Sequence, residues 1–203
     1  VLSTHFNRSV AGFRSSNLSI ARNNRSNNAA ADALGVFRVA INWTDIAFVP
    51  DAELAEETAI AWKWLIPESW KIVLSSMFGG VFLEKKSGGV FWLECGTALV
   101  ERVADNAADF HAYLKSERDN KWAEQVEEWF LIGLVQRLHD AGKTPGPGQC
   151  YGLTILPVFE GGRYDVENAF VLSAREWLTV TASLHHQILG IPDGAQVKIK
   201  VGE

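Results

Sequence analysis

Between Gly79 and Val103 the chain spells out an antiparallel meander, and this constrains its fold more than any other stretch. Val81-Phe82-Leu83, then Ser87-Gly88-Gly89, then Val90 to Glu94 read as a β-hairpin. Paired glycines supply the backbone freedom that a tight turn between neighbouring strands needs. Ala98 to Val103 follows closely enough to be a third strand. Strands joined by such short turns are antiparallel, and the helical signals elsewhere come in blocks, without βαβ alternation. The pattern predicts an α+β fold: a sheet built on residues 79–103, further strands near 151–156, 169–172 and 196–201, and several packed helices.

Helix signals flank the meander. Pro50-Asp51 opens one helix, with Asp51 as cap, Glu53, Glu56 and Glu57 in its first turns, and an apolar side of Leu54, Ile60, Trp62 and Trp64. Pro67 starts a second, short helix to about Ser76, with Trp70, Val73, Leu74 and Met77 inward. Asp105 caps a third, to about Ser116. The longest is expected over residues 121–141, burying Trp122, Val126, Trp129, Phe130, Gly133 and Leu138 and ending at Gly142. Ser173-Ala174-Arg175-Glu176 is a capping box for a last helix to about Leu189. Pro192-Asp193-Gly194 then turns the chain into its closing strand.

Residues 1–31 differ from the rest and are expected to form an arm, with residues 32–203 as a single domain. The arm is rich in Asn, Ser and Arg. It resembles a transit peptide, a disordered arm, or upstream sequence translated from a misplaced start, which Val1 in place of Met would fit. Docking through Phe6, Phe13, Leu18 and Ile20 is expected, and Leu34 to Trp43 suits a strand. Arg8, Arg14, Arg22 and Arg25 all precede the first acid, Asp32, so the arm carries +4. The remainder holds 15 of the 19 basic residues against all 24 acids, a charge of −9. An acidic body opposes direct nucleic-acid binding, which needs a basic surface, and favours a basic protein partner or simply solubility.

No motif carries chemistry. Gly142-Lys143-Thr144 resembles the end of a phosphate loop, but Arg137 stands where its first glycine belongs. It reads as a helix terminus. His185-His186 diverge by about 100° on a helix and cannot jointly grip one metal in the usual way. Cys95 and Cys150 have neither disulfide nor zinc spacing and are expected as buried free thiols in a reducing cytoplasm. A Cys150–His185 nucleophile pair has no surrounding motif. Four N-x-S/T matches, at Asn7, Asn17, Asn24 and Asn42, follow no secretory signal, and the longest apolar run, Trp129 to Val135, is too short for a bilayer. Eight tryptophans spread along the chain should mostly line one core, with a stacking role open to one or two. No catalytic residue, cofactor or metal follows from these residues.

The strongest pattern is Pro147-Gly148-Gln149-Cys150-Tyr151-Gly152, Pro157, Gly161-Gly162, Tyr164 and Glu167-Asn168. With Trp62-Lys63-Trp64-Leu65-Ile66-Pro67, Gly80 to Leu83, Gly89 to Leu93, Leu184-His185, Gln187-Ile188 and Pro192-Asp193-Gly194, it resembles the C-terminal domain family of bacterial immunity proteins associated with type VI secretion DNase effectors, over about residues 43–201. That resemblance implies an α+β domain that neutralises a cognate toxin by binding it, without catalysis, in the cytoplasm. Some members of the family stand alone. Members commonly carry Leu-Gly-Gly where this chain has Phe159-Glu160-Gly161-Gly162, and the arm has no counterpart.

Gly148, Tyr151, Pro157, Gly161, Gly162, Tyr164, Asn168, Pro192 and Gly194 are expected to define the fold. Glu124, Glu127 and Glu128, with Glu117 and Asp119 nearby, form an acidic cluster at a helix start, read either as a solvated face or as a docking surface for a basic effector. Glu160 and Arg163 on the glycine loop are the other partner-facing residues expected. The alternative is a small-ligand-binding or enzymatic domain with an aromatic cleft in the sheet.

Overall fold

The computed structural model describes residues 2–6, 41–116 and 120–199. The chain begins with β1 (Leu2–His5), α1 (Trp43–Ile46), β2 (Ala47–Phe48) and α2 (Ala52–Ala61). The meander follows as β3 (Trp70–Ser76), β4 (Val81–Lys85), β5 (Val90–Glu94) and β6 (Leu99–Ala104). Next come α3 (Ala107–Lys115), α4 (Asn120–Phe130) and α5 (Ile132–Asp140). The chain then closes through β7 (Gln149–Leu153), β8 (Ala169–Ser173), α6 (Ala174–Gln187) and β9 (Gln196–Ile199).

Strands β2 to β6 form one antiparallel sheet in chain order. This is the expected α+β architecture. Phe82 on β4 and Trp92 on β5 are directly paired and share a face. Phe82 there meets Phe110 of α3 at 4.7 Å and Trp129 and Phe130 of α4 at 5.3 and 5.5 Å between ring centroids. At the β3–β4 turn, α6 closes the sheet: Trp177 Nε1 donates to Phe78 O at 3.0 Å, and His185 Nε2 lies 3.0 Å from Cys95 O. Apolar groups at β4 and β5 are therefore removed from water from both sides, and Val81, Phe82, Leu83, Val90 and Leu93 are fully buried.

Two separate ribbons complete the molecule. β7 pairs with β8, and β1 with β9. Residues 2–5 of the expected arm thus belong to a sheet, and Phe6 is buried with its ring 6.4 Å from that of Phe159. Gly194 N donates to Phe6 O at 2.6 Å, so the Pro192–Gly194 turn anchors this junction. Phe13, Leu18, Ile20 and the expected strand over residues 34–40 lie outside the described residues. Trp43, read as the end of that strand, opens α1 and is 49% exposed.

Several expectations need correction. Residues 70–76 form strand β3, where a helix from Pro67 was expected. Helical spacing of Trp70, Val73, Leu74 and Met77 was a short signal, and it yields to pairing with β4 from Trp70 to Ser75 and with β2 beyond. A helix there would leave β4 unpaired on that side. The single helix over 121–141 is two, broken at Leu131, whose φ of 50° and ψ of 45° are left-handed. α6, with 14 residues, is the longest of the described helices. An apolar run from Trp129 to Val135 would clothe a straight helix all round. The break instead lets Trp129 and Phe130 on one side, and Leu134, Val135 and Leu138 on the other, reach the core.

Smaller corrections concern helix ends. Asn106, not Asp105, caps α3 by accepting from Asp109 N at 2.9 Å, while Asp105 pairs with Arg102 at 2.8 Å. Asp51 caps α2 as expected, accepting from Leu54 N at 2.8 Å. Ile60 on that helix is 67% exposed, and Trp62 and Trp64 lie beyond its end. Trp62 is fully buried, its Nε1 donating to Leu178 O at 3.0 Å. Gly142 does end α5: Gly142 N and Lys143 N donate to His139 O and Leu138 O at 2.9 and 2.8 Å.

Candidate functional site

The chain between β7 and β8 is a tight loop whose backbone is fixed from inside. Gly161 has φ +80° with nothing within 4 Å of where a β-carbon would be, so its demand is purely conformational. Gly162 has the opposite need: a β-carbon there would overlap the Leu156 carbonyl. Asn168 staples the loop through Nδ2 to Ile155 O and Arg163 O, at 2.8 and 2.7 Å, and accepts at Oδ1 from Ile155 N at 2.9 Å. Lys143 reaches in from the end of α5, its Nζ donating to Val166 O and Ala169 O at 2.7 Å each. The segment that superficially resembled a phosphate loop is thus a brace.

Tyr164 carries the loop to the sheet. Its hydroxyl is buried and donates to Glu94 Oε1. Thr97 Oγ1 donates to Oε2 of the same carboxylate, and Gly96 N donates to Oε1 at 2.7 Å. Glu94 lies at the end of β5 and is 4% exposed. Burial pushes its carboxyl above the usual range, against the pull of these donors. Burial, then the Glu94 charge, pushes the Tyr164 hydroxyl well up. Tyr151 holds the other flank: its OH donates to Lys143 O at 2.9 Å and its N to Met77 O at 2.7 Å. Gly148 O accepts from Ala174 N at 2.9 Å and so ties the loop before β7 to the start of α6. Pro157 packs beside Gly96.

The acidic cluster divides by role. Glu124 is exposed on α4. Glu127 is half-buried, and its Oε1 accepts from Gly133 N at 2.9 Å, capping α5 across the Leu131 break. Glu128 accepts from Gln125 Nε2 at 3.3 Å. Glu117 and Asp119 lie outside the described residues. On the loop Glu160 is exposed, and Arg163 is exposed but ion-paired with Asp165. The structural roles of Glu94, Asp165 and Lys143 escaped sequence reasoning. Glu94 alone left a trace, a carboxylate two residues from Trp92 and therefore on its inward face.

Both thiols and His185 are packed into the interior, and His186 lies on a ring. Cys95 Sγ donates to Gly79 O at 2.8 Å. Burial pushes the Cys150 thiol up to about 12, which keeps it protonated near neutrality. Burial lowers His185 to about 4, so its neutral ring donates from Nε2 to Cys95 O. His186 stacks on Trp64 with centroids 5.2 Å apart. Among the described residues no group of three or more His, Cys, Asp and Glu could hold a metal ion. Two recesses open elsewhere on the surface, the first of them bordered by Val158 of the loop. One of about 300 Å³ includes Trp64, Leu99, Val158, His185 and Leu189 in its lining. The other, of about 420 Å³, includes Trp43, Phe48, Leu74, Leu114 and Lys115.

Residues 105–185 match the family of the type VI secretion immunity protein Tdi1, C-terminal domain. The Tdi1-type segment runs from Asp105, just before the cap of α3, to His185 of α6 and contains α4, α5, the glycine loop and the β7–β8 ribbon. It is narrower than the expected span of 43–201: the β4–β5 hairpin and the Pro192–Gly194 turn fall outside it. No curated protein matches the chain. The crystal structure of Atu4351 from Agrobacterium tumefaciens is similar to it with a TM-score of 0.42 and 16% identity, over 80% of this chain and 78% of that one. Among the described residues no helix is long and apolar enough to cross a membrane.

Proposed function

We propose that the chain is a non-catalytic binding module that neutralises a cognate basic effector in the cytoplasm, as immunity proteins do. The observation that carries this is the Tdi1-type match, because the matched segment contains the exposed carboxylates of Glu124 on α4 and Glu160 on the glycine loop. Glu124 and Glu160 are its partner-facing residues, while Glu128 is half-buried on α4. Glu127 and Arg163 belong to the same surface but have local tasks, the first capping α5 and the second pairing with Asp165. Carboxylates facing Arg or Lys of a partner would speed encounter and fix orientation.

The test is binding of the chain to the products of the genes encoded beside it, any nuclease or other toxin first, followed by titration of Glu124→Lys and Glu160→Lys together at low and moderate salt. Slower association and a flatter salt dependence are expected, with an unchanged circular dichroism spectrum. Unaltered binding by the double variant would reject this surface, and no binding by the unmutated chain to any of them would reject the function. The recess of about 300 Å³ beside Trp64 and His185 favours a second function, small-ligand binding. A metabolic gene neighbourhood and thermal stabilisation by a small aromatic compound would support it.

A further inference from the structure

Trp92 and Glu94 stand two residues apart on β5, so both side chains leave the same face of the strand. A small cavity opens there, walled by Trp92, Glu94, Ser76 and Gly80 of the sheet, by Tyr164 of the glycine loop and by Glu128 of α4. It leaves about 10 Å³ for the centre of a water-sized atom, room for about one molecule. Trp92 is 3% exposed, and its Nε1–H has no acceptor among the described residues. A β-carbon built on Gly80 would lie 2.8 Å from that nitrogen, and Gly80 itself walls the cavity, so the nitrogen lies at the cavity wall. An indole N–H is a donor only, and a buried donor without an acceptor is costly.

We propose that this cavity is a binding site for one ordered water, which accepts from Trp92 Nε1 and donates to the carboxylates of Glu94 and Glu128. The wall chemistry selects the ligand. A metal ion or ammonium could satisfy the two carboxylates but has no lone pair for the indole N–H. Water has lone pairs for the donor and two hydrogens for the acceptors. Glu94 retains capacity for it: Oε1 accepts from Tyr164 and Gly96, but Oε2 accepts from Thr97 alone among its hydrogen bonds here. The water joins β5, which lies outside the Tdi1-type segment, to α4 and the loop within it. This inference does not depend on the toxin-binding proposal.

The experiment compares the full chain with Trp92→Phe by water–indole NOE spectroscopy and by oxygen-17 relaxation dispersion of the solvent. The Trp92 indole proton should show a direct cross-peak to a long-resident water, and the dispersion amplitude should fall by one water in the variant. An indole proton without that cross-peak, or an amplitude unchanged by the substitution, would overturn the proposal. Should Trp92→Phe fail to fold, a crystal structure of the unmutated chain decides: a solvent peak within hydrogen-bond distance of Nε1 supports the site, and a protein acceptor or no peak there refutes it.

Discussion

Removing the Glu94 side chain is the perturbation that asks most of this structure. Glu94→Ala leaves three donors without their acceptor, the Tyr164 hydroxyl, the Thr97 hydroxyl and the Gly96 N–H. Each buried donor left unsatisfied costs about 1–3 kcal/mol. Thr97 is only half-buried and recovers part of its share from water. A total of about 3–6 kcal/mol follows, a large fraction of the roughly 5–15 kcal/mol that holds a domain together. Glu94→Gln keeps an oxygen for Tyr164 and Gly96 and offers an amide to the Thr97 oxygen, so it should cost far less. The two variants also differ from the parent in pH dependence. Burial raises the folded-state value of Glu94 above its ordinary 4.5, so folding favours the protonated acid. Its contribution is fully present below the ordinary value and is lost as pH rises through the raised one. Stability of Glu94→Gln relative to the parent should therefore improve as pH rises from 4.5. Urea unfolding of the three proteins, followed by tryptophan fluorescence at several pH values, measures both effects. Glu94→Ala within about 1 kcal/mol of the parent, or a Gln variant losing ground as pH rises, would refute the reasoning.

The glycine loop should respond asymmetrically. Gly161→Ala should cost about 1 kcal/mol from backbone conformation alone, whereas Gly162→Ala, which would drive a methyl into the Leu156 carbonyl, should cost several times more in the same urea assay. Glu127→Ala should lower stability by about 1 kcal/mol through loss of the α5 cap, while Glu124→Ala on the exposed face should change it by less than about 0.5 kcal/mol; equal effects in thermal unfolding would contradict the division between them.

How far the fold was legible depended on whether the deciding interaction was local. The β4–β5 turn, the Asp51 cap and the Gly142 terminus are set within a few residues, and their signals were read correctly. β3 was misread because Trp70 to Ser76 is too short for its period to separate helix from strand, and the partners that decide it, Phe48 and Val81 among them, lie outside that window. The Leu131 break was hidden for the same reason. It lets both Trp129 and Phe130 of α4 and Leu134, Val135 and Leu138 of α5 be buried, and its compensation, Glu127 reaching Gly133, resembles any other glutamate on an acidic helix. Glu94 was hardest to see, since its donors come from residues 96, 97 and 164.

This difference in legibility bears on where a partner can dock. Residues that form the recognisable pattern are occupied inward: Gly162 by the Leu156 carbonyl, Tyr164 by Glu94, Asn168 by Ile155 and Arg163. Changing any of them should destabilise the loop, whatever it does to a partner's binding. Glu124 and Glu160 are instead exposed, on α4 and at the edge of the loop. On the proposed function, specificity for one effector over another would change at such exposed positions, while the loop stays as it is. Glu127 shows the limit of that freedom. It stands in the same acidic cluster, yet its carboxylate caps α5, so reversing its charge would move the helix and the surface together. Charge reversal at Glu124 and Glu160, with Glu127 left intact, is the perturbation that separates recognition from folding.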